Sequence, residues 1–132
     1  MTHLGRLTAA ALLSACAHSA APLPVFVAAA EVTPFAAEIV ALVRRELPSA
    51  RIAFVSIKPS PSRWALVEQV RAANQLVRDE IARDPLSTYV DTFTPMLRAD
   101  GRPRPELFGP DSLHMVRAGY VLWRETITPV IH

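Results

Sequence analysis

The segment Arg51–Ile57 reads Arg-Ile-Ala-Phe-Val-Ser-Ile and is apolar at almost every position. A strand with one face in water alternates apolar and polar residues, whereas a strand buried on both faces does not. The segment therefore predicts a strand of a parallel sheet that helices cover on both faces. In a chain of 132 residues, this favours a single domain of the α/β class.

The residues before this strand predict another strand and a helix. Val25–Ala28 is a short apolar run typical of a buried strand. Thr33 and Pro34 suit the N-cap and first position of a helix, which Pro48 would end. The predicted core face of this helix consists of Phe35, Ile39, Leu42 and Val43.

The residues after the central strand continue the alternation. A long helix is predicted to about Arg83, followed by a strand over Thr88–Asp91 and a proline-rich loop over Thr94–Pro110. A last helix is predicted from about Met115 to Thr128, with its core face formed by Tyr120, Trp123 and Ile127. The order β-α-β-α-β-loop-α is typical of an α/β fold with right-handed crossovers.

The charge pattern excludes an obvious nucleic-acid surface. The chain carries a net charge of +2, and its basic residues are scattered among acidic ones, with Lys58 as the single lysine. No basic block with interleaved aromatic residues is present. The sequence also contains no glycine-rich phosphate loop and no cluster with metal-ligand spacing, so we predict no nucleic-acid partner, no cofactor and no metal.

The N-terminal residues 1–20 have the pattern of an export signal, followed by a short linker over 21–24. A basic start and the apolar run Leu7–Ala15 fit a secretory signal peptide, and the run is too short to span a bilayer. Leu13-Ser14-Ala15-Cys16 also resembles a bacterial lipobox, in which Cys16 would be lipidated. An ordinary cleavage site at Ala15-Cys16-Ala17 is the alternative. We predict export to the periplasm, the outer membrane or the medium, with membrane attachment only through a lipid on Cys16.

Asp111 and His114 lie three residues apart in the segment Phe108-Gly-Pro-Asp-Ser-Leu-His-Met115. This spacing lets the carboxylate reach Nδ1 of the imidazole and fix its tautomer, which leaves Nε2 free to act as a base. A purely structural alternative is that Asp111 caps backbone groups and His114 packs against Tyr120.

The segment Phe108–Met115, followed by Gly119 and Tyr120, resembles the last conserved block of the SGNH (GDSL-type) ester hydrolases. Three further segments resemble one bacterial branch of that family in the same order: Ile57–Trp64, Val90–Leu97 and Asp100–Phe108. The resemblance implies a flavodoxin-like three-layer α/β/α fold with a parallel sheet, of which the first strands are missing here. It also implies a carboxylic-ester hydrolase of the Ser-His-Asp type acting on acyl or carbohydrate esters.

In that family the loop of Asp111 and His114 supplies two members of the catalytic triad. His114 would deprotonate a serine and Asp111 would orient the imidazole. The family's Gly-Asp-Ser nucleophile block and its glycine and asparagine oxyanion blocks are absent, and Ala30 and Glu31 stand where a glycine and an asparagine are expected. We therefore predict an ester hydrolase domain that is inactive alone. The alternatives are a non-catalytic remnant or binding module, and half of a split enzyme.

No other serine is an obvious replacement nucleophile. Ser112 lies on the same loop as the imidazole and is poorly placed to reach the imidazole edge opposite Asp111. A Ser56–Lys58 dyad is a weaker alternative. Ser60 and Ser62 are interpreted as helix caps. Asp91, Asp111 and His114 do not have the spacing of metal ligands.

An uncovered edge on the strand Val25–Ala28 predicts pairing between copies of the chain.

Overall fold

The computed structural model of this chain describes residues 29–131, with side chains from residue 33 onward. Three predicted features lie outside the described residues: the export signal over 1–20 with Cys16, the linker over 21–24, and the strand at Val25–Ala28. The predicted pairing of copies through that strand therefore remains a prediction.

The described chain alternates helices and strands. In order, the regular elements are α1 (Ala29–Glu46), β1 (Ile52–Val55), α2 (Val67–Ile81), β2 (Ser87–Val90) and α3 (Arg117–Ile131). Three short 3₁₀ segments lie between them, at Pro61–Leu66, Thr94–Met96 and Pro105–Leu107. β1 and β2 are parallel neighbours, in a register that pairs Ile52 with Ser87 and Val55 with Val90. The predicted α/β class with a parallel sheet is confirmed.

The two faces of the strand pair contact different helices. Phe54 and Tyr89 are register partners whose rings stack with centroids 6.4 Å apart. They pack against a core that α1 and α2 build from Ala36, Val77 and Ile81. Since side chains alternate along a strand, Ala53 and Thr88 point to the opposite face, where they line a hollow together with Val130 and Ile131 at the end of α3. The arrangement is helix, sheet, helix.

A second apolar cluster supports the long loop between β2 and α3. Met96, Leu107 and Phe108 are buried there, and Met115, Leu122 and Trp123 pack against them. The indole N–H of Trp123 donates to the sulfur of Met96 at 3.2 Å. Although the loop contains many prolines, this cluster fixes its path, and the loop delivers residues 108–115 to the start of α3.

The start of α1 differs from the prediction. The helix begins at Ala29, so Thr33 and Pro34 lie inside it instead of at its N-cap and first position. Alanine and glutamate are strong helix formers, and they extend the helix before the proline. The proline at the sixth position removes one hydrogen bond near the end of the helix, where the loss is smaller than in the middle.

The predicted core face is wrong at three positions of α1 and at one position of α3. On α1, Phe35, Ile39 and Leu42 are exposed, and Ala36 with Val40 faces the core instead. On α3, Tyr120 is 58% exposed, while Trp123 reaches the second cluster. Both helices carry apolar residues on more than one side, so periodicity alone did not identify the inner side.

The strands are also less buried than predicted, because among residues 29–131 only the end of α3 covers their second face. Ala53 and Thr88 are exposed within the described residues.

None of the helices in the described range 29–131 is long and apolar enough to cross a membrane.

Candidate functional site

Asp111 and His114 meet as the sequence predicts. Oδ2 of Asp111 lies 2.5 Å from Nδ1 of His114, and Oδ1 accepts hydrogen bonds from the backbone N–H groups of Leu113 and His114, both at 3.0 Å. One carboxylate therefore holds the turn with one oxygen and the imidazole with the other. Of the structural alternative, the capping of backbone groups by Asp111 occurs together with the orientation of the imidazole. The side chains of His114 and Tyr120, expected to pack on each other, are both exposed.

The backbone around this pair forms a closed loop. The N–H of Gly109 donates to the carbonyl of His114 at 2.8 Å, and the N–H of Ser112 donates to the carbonyl of Gly109 at 2.9 Å. Ser112 has a φ of 55°, in the left-handed region that favours glycine. This conformation turns the chain so that Asp111 and His114 face each other across it.

The charge of this site is concentrated on Asp111. The hydrogen bond from His114, followed by those from two backbone amides, holds the pKa of the Asp111 carboxyl well below its usual range. The carboxylate is therefore ionised throughout the neutral range, and as an ionised group it can only accept the hydrogen bond that it shares with Nδ1. The His114 side chain is 79% exposed, and among residues 33–131 no group hydrogen-bonds to its Nε2. Nε2 is free to accept a proton from a group outside the described residues.

The loop lies beyond the carboxyl end of β1, where α/β sheets place their ligand sites. The N–H of Ser62 donates to the carbonyl of Ser112 at 3.1 Å and ties the segment after β1 to the loop. Asn74 of α2 fixes the same segment, because its amide accepts from the N–H of Ile57 at 2.8 Å and donates to the carbonyl of Ile57 at 3.1 Å. The position of His114 thus depends on β1 and α2 as well as on its own loop.

A small cleft of about 80 Å³ opens beside the loop, and sequence reasoning missed it. Leu113 forms part of its wall, and Lys58 and Ser60 supply its polar groups. Nζ of Lys58 donates to Oγ of Ser60 at 2.9 Å. The cap interpretation is confirmed in position for Ser60, which is the N-cap residue of the 3₁₀ segment but makes no side-chain cap bond. It is wrong for Ser62, which lies inside that segment. The break of the strand at Lys58-Pro59 was the available signal for this cleft.

The remaining candidate residues have structural partners. Ser56 is buried, and its hydroxyl accepts from the N–H groups of Thr92 and Phe93, both at 2.9 Å, so it is occupied in joining the ends of β1 and β2. Asp91 caps the turn after β2, because its carboxylate accepts from the N–H and hydroxyl of Thr94 at 3.0 and 2.7 Å. Within the described part of the chain, no three His, Cys, Asp or Glu side chains are grouped as a metal site would require.

Comparison with known proteins gives one kind of match. No family model and no curated protein matches the chain. A solved structure from Streptococcus pneumonia, described as a "putative platelet activating factor", superposes with a TM-score of 0.70 at 20% sequence identity. The superposition covers 79% of this chain and 52% of the other, so the chain spans about half the length of that protein. The two proteins share an α/β fold.

Proposed function

We propose that this chain supplies the acid–base half of an ester-hydrolysing site, with His114 as the base and Asp111 as the group that orients it. The observation that carries the proposal is the 2.5 Å contact of Asp111 with Nδ1 while Nε2 stays exposed. This arrangement serves serine hydrolases because the imidazole takes the proton of the nucleophile and later returns it to the leaving group.

The kind of substrate is supported by two further observations. Four segments of the sequence resemble SGNH ester hydrolases in order. The α/β fold is shared with a protein described as a "putative platelet activating factor". Acyl or carbohydrate esters are therefore the proposed substrate class, and a mainly apolar cleft beside the loop that carries the imidazole suits an acyl group.

The nucleophile is proposed to come from outside residues 33–131. Ser56 is buried and bonded to backbone groups, and Ser60 contacts Lys58. Ser112 shares the loop with the imidazole and has its φ in the left-handed region. The loss of a serine nucleophile costs a serine protease about 10⁶ in kcat, so we expect the described domain to be nearly inactive without a partner segment or a second chain.

The test supplies the nucleophile from solution. With p-nitrophenyl butyrate in buffer containing methanol, Nε2 of His114 can take the hydroxyl proton as methanol attacks the carbonyl, which releases p-nitrophenol and methyl butyrate. We expect methyl butyrate to form at least about tenfold faster with the native chain than with His114→Ala, since a positioned base contributes about 10²–10⁴. Asp111→Asn should lose most of this advantage.

A matched control uses another aspartate with the same backbone role. Oδ1 of Asp100 accepts from the N–H of Arg102 at 2.9 Å in an exposed turn, and Asp100→Asn should leave the rate unchanged. Equal rates for the native chain and His114→Ala would refute the acid–base role and favour a non-catalytic binding module. A fluorophosphonate label on a serine of the purified chain, lost in His114→Ala, would refute the missing nucleophile.

We further propose that the chain is exported and that Cys16 carries a lipid. The support is the sequence pattern Leu13-Ser14-Ala15-Cys16. Metabolic labelling with a palmitate analogue, compared between the native chain and Cys16→Ser, tests the anchor. An unlabelled, shortened product that begins after residue 16 would show simple signal cleavage instead.

A further inference from the structure

Lys58 is a half-buried cation in a mainly apolar cleft. The walls of the cleft come from four separate stretches of chain and consist mainly of Ile57, Trp64, Val67, Val70, Phe93 and Leu113. At about 80 Å³ the cleft exceeds the roughly 10–15 Å³ that a single water requires. It therefore has room for a short ligand with an apolar chain.

Lys58 has no direct ion-pair partner among residues 33–131. Its Nζ donates to the hydroxyl of Ser60, and no carboxylate of residues 33–131 lies within the 4.0 Å that defines an ion pair. Buried or half-buried charges are normally paired. Lys58 keeps two further N–H donors, so an anion entering the cleft would find donors ready.

The electrostatics of the cleft agree with an anionic ligand. Burial, followed by the charge of Arg63, lowers the pKa of the Lys58 ammonium, and the charge of Asp111 opposes this change. A neighbouring cation that disfavours the ammonium also attracts an anion to the same place. Arg63 lies on the rim of the cleft with its side chain exposed.

The position of the cleft links it to the histidine. Leu113, the residue directly before His114, forms part of the wall, and the N–H of Ser62 holds the carbonyl of Ser112 at 3.1 Å. A ligand in the cleft therefore lies next to the loop that carries the imidazole. The cleft also lies beyond the carboxyl end of β1, where α/β folds bind ligands.

From these observations we infer that the cleft binds a short-chain carboxylate, with its carboxylate on Nζ of Lys58 and its alkyl chain against the apolar walls. The inference rests on the proposed function for the origin of this ligand, since ester hydrolysis produces a carboxylate. A bound product acid at this place would make the cleft the site for the acyl side of the substrate, with Lys58 as its specificity-determining residue.

The experiment titrates the full chain with sodium butyrate and follows the two indole N–H signals by NMR. The chain has two tryptophans. Trp64 lines the cleft, whereas Trp123 packs in the second apolar cluster, so it serves as an internal control of folding. We expect a saturable shift of the Trp64 signal and a constant Trp123 signal. n-Butanol, which has the same chain length and no charge, should bind at least about tenfold more weakly.

Two variants with the same loss of charge sharpen the result. Lys58→Met should weaken butyrate binding at least about tenfold, while Arg124→Met, at an exposed position of α3, should not change it. Equal affinity for butyrate and n-butanol, or unchanged affinity in Lys58→Met, would overturn the inference. The comparison of the two ligands on the native chain needs no variant, so it decides the matter even if Lys58→Met does not fold.

The same titration on His114→Ala separates this inference from the proposed function. Butyrate binding that survives in His114→Ala supports the cleft whatever the outcome of the ester assay. Equal methanolysis rates for the native chain and His114→Ala, with butyrate binding retained in both, would refute the acid–base role alone. Absence of butyrate binding in a chain that shows the methanol reaction would refute the cleft assignment alone.

Discussion

Gly119 lets α3 pack closely against Leu107, in the segment that precedes the histidine loop. Its replacement by alanine perturbs this contact. A Cβ atom at position 119 would lie 2.7 Å from the backbone carbonyl oxygen of Leu107 and 3.0 Å from Cβ of Met115. The carbonyl cannot rotate away, because it accepts a hydrogen bond from the N–H of Val116 at 3.1 Å. Alanine therefore forces α3 away from Leu107.

The magnitude follows from two opposing effects. Inserting a methyl group into a packed region costs about 1–3 kcal/mol, and contact with fixed backbone puts this position in the upper half of that range. The higher helix propensity of alanine returns about 1 kcal/mol. The net loss of unfolding free energy is therefore about 1–2 kcal/mol, which lowers Tm by roughly 4–8 °C per kcal/mol in a domain of this size.

Thermal unfolding followed by circular dichroism measures this loss. The matched control is Gly109→Ala, since the nearest atom to its new Cβ would be the carbonyl oxygen of His114 at an ordinary 3.6 Å. We expect Gly109→Ala to melt within a few degrees of the native chain. A Gly119→Ala variant that melts at or above the native Tm would refute the close approach of α3 to Leu107.

Two further predictions concern the support of the fold. Asn74→Ala removes both side-chain hydrogen bonds to the backbone of Ile57 and should lower the free energy of unfolding by about 1–3 kcal/mol in urea denaturation. Gln75→Ala, at an exposed neighbouring position, should change this free energy little. Equal effects of the two variants would contradict the stabilising role of the Asn74 hydrogen bonds. Hydrogen bonds from Arg44, followed by one from Ser87, lower the pKa of Asp84 to about 2. The contribution of Asp84 to stability is therefore fully present above about pH 4, the ordinary pKa of this carboxyl group. This contribution is lost as the pH falls towards 2. Asp84→Asn should be less stable than the native chain at pH 7 and should lose less stability between pH 4 and pH 2; an unchanged pH dependence would contradict the ion pair.

Local patterns of this sequence predicted local structure well. The Asp111–His114 pair is encoded by three-residue spacing, because one turn of backbone brings both side chains together without help from distant parts of the chain. The strands at residues 52–55 and 87–90 were found because their apolar and β-branched residues stand between turn residues. These elements need little information from the rest of the fold.

Features that depend on tertiary contacts were missed. The cleft is lined by side chains from the segment after β1, from α2, from the turn after β2 and from the histidine loop. No single stretch of the sequence therefore predicts the cleft. The inner face of α1 was misassigned because the small Ala36 approaches the α2 residues Val77 and Ile81 closely, whereas the larger Phe35 stays exposed. Residue size at a close contact decides this orientation, and hydrophobic periodicity does not measure it.

The state of the His114 ring tests the central claim most directly, because the acid–base role requires a proton on Nδ1 and a free Nε2. Long-range ¹H–¹⁵N NMR of the full chain, at a pH where the imidazole is neutral, distinguishes the two tautomers. We predict the Nδ1–H tautomer, with a strongly downfield Nδ1 proton that disappears in Asp111→Asn. An Nε2–H tautomer, or a spectrum of His114 that Asp111→Asn leaves unchanged, would contradict the account.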